Sequence, residues 1–415
     1  MNIYGFLTTI IFYATLPFFY LERVIHKKSF GWKEKFGNIK SSFSPDDKII
    51  MLHGVSVGEV IALENLVNKL KETYPECKLV VTTGTKTGQD IAQKKFDGIA
   101  DLVTYFPFDI PSAVNKFLDE LKPSLVLIAE TEIWPNFAVG CKKRNIPICI
   151  INGRISDSTY KTYKIAKPFF NEVFKNFTAV YAQSQEDLQK YISLGMKNTE
   201  FMGNLKFDIK KKDADIDLGQ NGYKVLIGGS THKGEDEIVL DCFKKLKSEF
   251  PNLKLLLAPR HPQRVPEVEQ LVAQRELSYG LRSKDEKFTN HDVIILDTLG
   301  ELGKMYSICD IAFIGGSFNK TGGHNPLEAV VYDKPTLSGP CIHNFKDIYS
   351  ILQKAGAAKV VSTPNELFLS IKALLSDEKF YNSVKVACNK VFEEQNGALA
   401  FVINKVDEIL NLKSR

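Results

Sequence analysis

From Lys48 onward the chain alternates short apolar runs with stretches whose apolar residues recur every three to four positions. The runs at 49–52, 79–82, 102–105, 125–128, 146–151 and 179–182 predict buried strands, and 59–74, 89–96, 113–121 and 186–194 predict the helices between them. Strands that are apolar almost throughout, separated by helices, predict a parallel sheet covered on both faces. A polar stretch at 210–217 then interrupts the pattern and reads as a linker, its Asp213 and Asp215 as part of a solvated charge run. The alternation resumes with a strand and turn at 224–229. A helix at 236–250 follows, with apolar positions at Ile238, Val239, Cys242, Phe243, Leu246 and Phe250. Further strands are predicted at 253–258, 293–296 and 312–314, and a last helix at 398–412.

This pattern predicts two doubly wound α/β domains facing a cleft, where the carboxyl ends of the strands bind ligand. The expected divisions are an anchor at 1–22, an N-terminal domain at 23–209, a linker at 210–222, a C-terminal domain at 223–396 and a C-terminal helix at 397–415. A length of 415 residues suits two separate cores. The net charge of +5, without an arginine-rich tract, excludes nucleic acid as the expected partner and is compatible with anionic lipid. Seven scattered cysteines with no C-x-x-C pair fit a reducing compartment, not a disulfide framework or zinc site.

Residues 1–21 carry no charged side chain and are rich in Phe, Ile, Leu and Tyr. About 20 apolar residues can span a bilayer. No basic start or small-residue cleavage site marks a signal peptide. Arg23, His26, Lys27, Lys28, Lys33 and Lys35 follow, and a basic flank of this kind stays in the cytoplasm. A single N-terminal membrane anchor is therefore expected on the cytoplasmic side, either spanning the bilayer or lying in its interface. A core helix of the first domain is the alternative.

Candidate chemistry collects at predicted strand ends. The glycine-rich stretch 315–323 lies between a strand and a helix expected at 327–332. Asn325 reads as its N-cap, Pro326 as its first residue and Glu328 as the partner reaching back to the cap. The free N–H groups and helix dipole expected there suit a phosphate. Glu59, in the first turn of a helix beside Gly54 and Gly58, has the character of a general base. Glu130, Glu132 and Trp134 follow directly on the strand at 125–128, where such residues are costly unless exposed or used. Lys206 is a lone cation in an apolar patch that could neutralise a leaving phosphate. Arg260, just after the strand at 253–258, has the fork geometry that suits a phosphate.

Taken in order, these motifs resemble the 3-deoxy-D-manno-octulosonic acid (Kdo) transferases of lipopolysaccharide synthesis. The resemblance runs through SVGE at 56–59, ETEIWPN at 130–136, GNLKFD at 203–208 and GSTHKGE at 229–235. It continues through PRHPQR at 259–264, DTLGEL at 297–302 and GGHNPLEA at 322–329. It implies a GT-B glycosyltransferase that moves Kdo from CMP-Kdo to a lipid A precursor, lipid IVA, at the inner membrane. It further implies Glu59 as general base, and Glu130 and Lys206 as stabilisers of the transition state. Pro259, Arg260, Leu299, Gly300, Glu301, Asn325, Pro326, Leu327 and Glu328 would then form the CMP site. Gly54 and Ile133 depart from the residues most common in the family, and neither touches a proposed role. With Lys and Arg available to cover the phosphate, no metal or other cofactor is expected.

Overall fold

The computed structural model describes residues 2–26, 31–209, 211 and 215–411. The chain divides into two compact units, one formed by Met1–Asp208 with Gln395–Arg415, the other by Ile209–Glu394.

The first unit is built on β1 (Ile49–His53), β2 (Lys78–Thr83), β3 (Leu102–Tyr105), β4 (Leu125–Ala129), β5 (Ile148–Gly153), β6 (Ala179–Ala182) and β7 (Thr199–Phe201). They form one sheet in the order β3-β2-β1-β4-β5-β6-β7, with every neighbouring pair parallel. Alternate residues of a strand point to opposite faces. Ile50 and Leu52 of β1 accordingly enter one core, with Leu63, Leu66 and Val67, and Ile49 and Met51 enter another, with Phe117, Phe137 and Ile150. Both faces are buried, and this is why β1 is apolar at successive positions rather than at alternate ones. β7, which the apolar pattern does not reveal, is a three-residue edge strand reading Thr-Glu-Phe.

The second unit repeats the plan with β8 (Lys224–Thr231), β9 (Leu253–Pro259), β10 (Tyr279–Leu281), β11 (Val293–Ile295), β12 (Ile311–Ile314), β13 (Thr336–Ser338) and β14 (Ala358–Val360). Their order is β10-β11-β9-β8-β12-β13-β14, again all parallel. In each unit the first strand lies inside the sheet, and strand order reverses beside it, between β1 and β4 and between β8 and β12. A doubly wound sheet opens a crevice at such a reversal, outside the carboxyl ends of its strands.

The C-terminal helix Ala398–Leu410 packs with the first unit. Its Ala398, Val402, Ile403 and Val406 share a core with Leu63 and Leu66, and Tyr74 donates to the carbonyl of Ile403 at 3.2 Å. The Asp208 carboxylate accepts from the N–H groups of Gly397 and Leu399, at 3.1 and 2.7 Å. Leu412, placed in this helix from the sequence, lies outside the described residues, as do Lys210, Lys212, Asp213 and Ala214 of the linker.

The N-terminal helix Asn2–His26 is docked along one side against the first unit. Tyr4 donates to Asp109 at 3.4 Å, Asn136 donates to the Thr8 hydroxyl at 3.1 Å, and Phe12 packs on Phe36 and Phe108. A Cβ on Gly5 would stand 3.0 Å from Oδ1 of Asn136, so this side of the helix admits only glycine without a shift. The opposite side presents Phe6, Leu7, Ile10, Ile11 and Tyr13, with Phe6 66% and Ile11 61% exposed. Among the described residues no helix is long and apolar enough to cross a membrane. Lys27 and Lys28 of the expected basic flank lie outside the described residues. Lys35 turns inward, where it donates to the Gly84 carbonyl at 3.0 Å and lies over the Tyr105 ring; burial lowers its pKa.

Candidate active site

β1 ends in a histidine that serves structure. His53 is fully buried, stacked on Phe106 with ring centroids 4.0 Å apart and bonded through Nδ1 to Thr82, and burial pushes its pKa down to about 3. The chain then turns through Gly54 into the helix Val57–Thr73, whose N-cap is Ser56. Glu59 sits at the third helical position and closes a capping box with Ser56. Its carboxylate accepts from the N–H of Val55 at 2.5 Å and the Ser56 hydroxyl at 2.9 Å. Its pKa is raised, first by burial and then by the neighbouring Glu130 charge, while these hydrogen bonds oppose the rise. A Cβ at Gly54 would stand 3.3 Å from Cβ of Glu59, so Gly54 makes room for this side chain. Glu59 is thus fixed in one orientation with its proton affinity increased, as a general base requires.

Across the strand reversal, β4 ends at Ala129 and the chain enters Glu130 with φ of 60°, the left-handed region that non-glycine residues seldom occupy. The conformation is held by the Glu130 N–H donating to Ile151 at 3.0 Å and by the Tyr191 hydroxyl donating to the Glu130 carbonyl at 3.4 Å. The side chain is 17% exposed, and Oε1 lies 3.4 Å from Nζ of Lys206. Lys206 is therefore paired rather than a lone cation. Its short turn is fixed by Asn204, which caps Lys206 N–H at 3.0 Å and donates to Gln183, and by Asn152, which accepts from Leu205 N–H. Glu132 is the third carboxylate of the group. Burial, then the Glu59 and Glu130 charges, push its pKa up to about 7. Glu59, Glu130, Glu132 and Lys206, which lie far apart in sequence, are thereby brought together at the β1/β4 reversal.

In the second unit β8 ends at Thr231 and His232 follows it, and Ser230 within the strand adopts φ of 54°. Two acidic residues follow at the start of the helix Glu235–Glu249, both buried. Glu235 accepts from the N–H groups of Gly316, Ser317 and Phe318, at 2.6, 2.8 and 2.8 Å, and from His232 N–H at 3.0 Å. Those loop N–H groups are occupied by this carboxylate. Asp236 accepts from the Thr231 hydroxyl and from Arg264, each at 2.6 Å. Of the two arginines in PRHPQR, Arg264 is thus structural, and Arg260 is exposed immediately after Pro259 ends β9.

The helix after the glycine loop is shorter than expected, Leu327–Val330. Asn325 accepts from Leu327 N–H at 3.1 Å, and Pro326 takes the cap position. The expected capping box with Glu328 does not form, and four residues leave little helix dipole to hold a phosphate. Leu299 is exposed and Gly300 adopts φ of 81°. Glu301 accepts from Thr298 and faces Arg282 at 3.4 Å. Among the described residues no group of three His, Cys, Asp or Glu side chains is arranged to hold a metal ion.

Sequence reasoning missed Glu235, the Asn152–Gln183–Asn204 network and the pairing of His232 with His324. Glu235 reads as an ordinary acidic residue in a first helical turn; its bond to a loop some eighty residues on leaves no local trace. A polar residue inside an otherwise apolar strand, Asn152 in β5, was the one visible signal for the network.

Residues 30–209 match the model of a family described as 3-deoxy-D-manno-octulosonic-acid transferase (kdotransferase). The chain is 35% identical to a 3-deoxy-D-manno-octulosonic acid transferase of Haemophilus influenzae over 377 residues, 88% of each chain. It is 31% identical to one of Rickettsia bellii over 388 residues, 90% of this chain and 91% of that one. Among solved structures it resembles a UDP-GlcNAc 2-epimerase from Neisseria meningitidis, with a TM-score of 0.53 over 87% of this chain and all of that one; at 13% identity this likeness concerns the fold alone.

Proposed function

Because the chain belongs to the Kdo transferase family and is a GT-B glycosyltransferase, we propose that it moves Kdo from CMP-Kdo onto a lipid A precursor, lipid IVA, with Glu59 as general base. The observation that carries this reading is the set of charges at the β1/β4 reversal: a fixed carboxylate of raised pKa beside a second carboxylate paired with a lysine. Glu59 takes the proton of the acceptor hydroxyl as its oxygen bonds to the anomeric carbon of Kdo. The bond from that carbon to the phosphate oxygen breaks, and CMP leaves with the bonding electrons. Glu130 offsets the positive charge developing on the sugar, and Lys206 holds Glu130 in place and the departing phosphate in balance. Arg260, with Pro259, Leu299 to Glu301 and Asn325 to Glu328, binds CMP. No metal is required, since cationic side chains cover the phosphate.

The N-terminal helix supports attachment to the cytoplasmic face of the inner membrane. Its exposed Phe6, Leu7, Ile10, Ile11 and Tyr13 suit a helix lying in the interface rather than across the bilayer. Beside it a groove of about 350 Å³, lined by Phe6, Thr9, Pro111, Val114 and Val139 with Lys143, suits an acyl chain below an anionic head group. Mass spectrometry of lipid IVA incubated with CMP-Kdo and the protein is the test. Addition of one or more Kdo units is expected, and transfer from a UDP-sugar in place of CMP-Kdo overturns the reading.

A further inference from the structure

The strand reversal of the second unit carries a pair of side chains that the chemistry above leaves unused. His232 follows β8 and His324 lies in the loop after β12, the two strands that flank the reversal. Their rings are parallel within 7°, and their Nε2 atoms are 3.0 Å apart. His261 stands edge-on to His232, with centroids 5.6 Å apart. Two imidazoles in this contact share one hydrogen, one Nε2 donating and the other accepting, and a second proton would set two N–H groups against each other. Arg260, His261 and Arg264 all add positive potential, and the Glu235 carboxylate opposes them. Burial comes first in lowering both imidazole pKa values, with His324 brought to about 4. Glu235 is already committed to four N–H donors. The crevice is therefore lined by an exposed arginine and by two histidines of lowered proton affinity that, among the described residues, pair with each other.

We infer that His232 and His324 form an anion grip for the nucleotide-sugar donor, exchanging their mutual hydrogen bond for bonds to an anionic oxygen and taking up a proton as they do so. The inference rests on the donor-binding reading above and adds to it a residue pair and a proton. The proton comes from solvent, and no bond in the ligand is broken. An anion at the rings offsets the surrounding cations, which raises the proton affinity of the pair. By linkage the ligand then binds more tightly as pH falls toward the pKa of the bound state. The anionic oxygen can belong to the phosphate of CMP or to the carboxylate of Kdo.

Calorimetric titration of the full chain at pH 7.5, in two buffers of different ionisation heat, separates these cases. The second ionisation of a phosphate monoester lies at about 6, so at this pH the ligand contributes little uptake of its own. With CMP, uptake approaching one proton is expected; with cytidine, none. Uptake with Kdo but not CMP assigns the grip to the carboxylate. His232→Gln and His324→Gln should each remove the uptake and weaken binding by roughly tenfold to a hundredfold, the loss typical of a hydrogen bond to a charged group. Arg260→Ala should weaken CMP binding yet keep the uptake, which separates simple charge attraction from the histidine pair. Imidazole NMR titration of the unaltered protein, with and without CMP, reads the same protonation should a Gln variant fail to fold. Binding without proton uptake, or uptake that persists in both Gln variants, overturns the inference and leaves the donor reading standing. A folded protein that binds neither CMP nor Kdo overturns both.

Discussion

The ammonium of Lys206 lies 3.4 Å from Oε1 of Glu130, across 76 positions of sequence. Glu130 reaches it from a left-handed backbone position and Lys206 from a turn pinned by buried amides. The pair is partly shielded from water, with the two side chains 26% and 17% exposed. In the proposed mechanism a cation held there serves Glu130 and a departing phosphate together. Replacing Lys206 by Met should lower transfer by on the order of 10²-fold, the scale of losing one preorganised electrostatic group. Steady-state rates with detergent-dispersed lipid IVA provide the check, and a variant with near-normal turnover would remove Lys206 from the chemistry.

Glu59→Gln should remove most transfer, by on the order of 10²–10⁴-fold for loss of a general base. Gln can still accept from Val55 N–H, so the capping box is largely preserved and thermal unfolding should shift little. CMP binding, measured separately, should be unchanged. A large drop in stability with proportionate loss of activity would instead make Glu59 a helix cap and nothing more.

Glu132 links the site to pH. Its pKa is raised to about 7 from an unfolded value near 4.5, so the folded state binds this proton more tightly than the unfolded chain does. The stabilising contribution is full below about pH 4.5 and is lost as pH rises through about 7. Glu132→Gln should therefore be more stable than the parent at pH 8 and nearly equal to it at pH 4.5, as read by urea unfolding at the two values. Removing this carboxylate should also move the acid limb of the rate profile to lower pH, because Glu59 then ionises beside one like charge, Glu130, rather than two. An unmoved acid limb would show that the two carboxylates do not titrate together.

Glu235→Ala leaves the N–H groups of Gly316, Ser317, Phe318 and His232 without their acceptor. Each buried donor so orphaned costs about 1–3 kcal/mol, less where water enters. A drop in stability of at least about 3 kcal/mol is expected on that basis. Denaturant unfolding is the measurement, and a change below 1 kcal/mol, the scale of about one ordinary hydrogen bond, would mean that the glycine loop is held by other contacts.

The N-terminal helix has two sides with separable effects. Phe6→Ser combined with Ile10→Ser and Ile11→Ser removes exposed apolar surface, worth about 25 cal/mol per Å² when buried in lipid. It should weaken flotation with anionic vesicles and leave thermal stability unchanged. Tyr4→Phe combined with Phe12→Ala touches the docked side and should lower stability. If the exposed-face variant floats as well as the parent, the patch is not a membrane-binding surface.

Periodicity alone determined much of the architecture. Runs such as Ile49–His53 and Leu125–Ala129 are apolar at successive positions because both faces of each sheet are covered, and this constraint is written residue by residue. The motifs around Glu59, Glu130, Lys206 and Arg260 were legible for a related reason: glycines, prolines and charges at strand ends interrupt an otherwise apolar text. The short edge strands β7, β10 and β14 were not legible, since three residues on a partly covered edge need no apolar run, and β13, an inner strand, is too short to show one. The C-terminal helix showed its apolar stripe but not its partner, because nothing local states that Ala398–Leu410 returns to the core begun by Leu63. Partnerships across long separations were decided by the tertiary structure alone. Glu235 with the loop at Gly316 and His232 with His324 each join two strand ends that become neighbours only when the sheet order reverses, and Lys206, after β7, meets Glu130, after β4, across two intervening strands. A side chain's charge is a property of the sequence, but its partner, and hence its proton affinity, depends on which strands lie side by side.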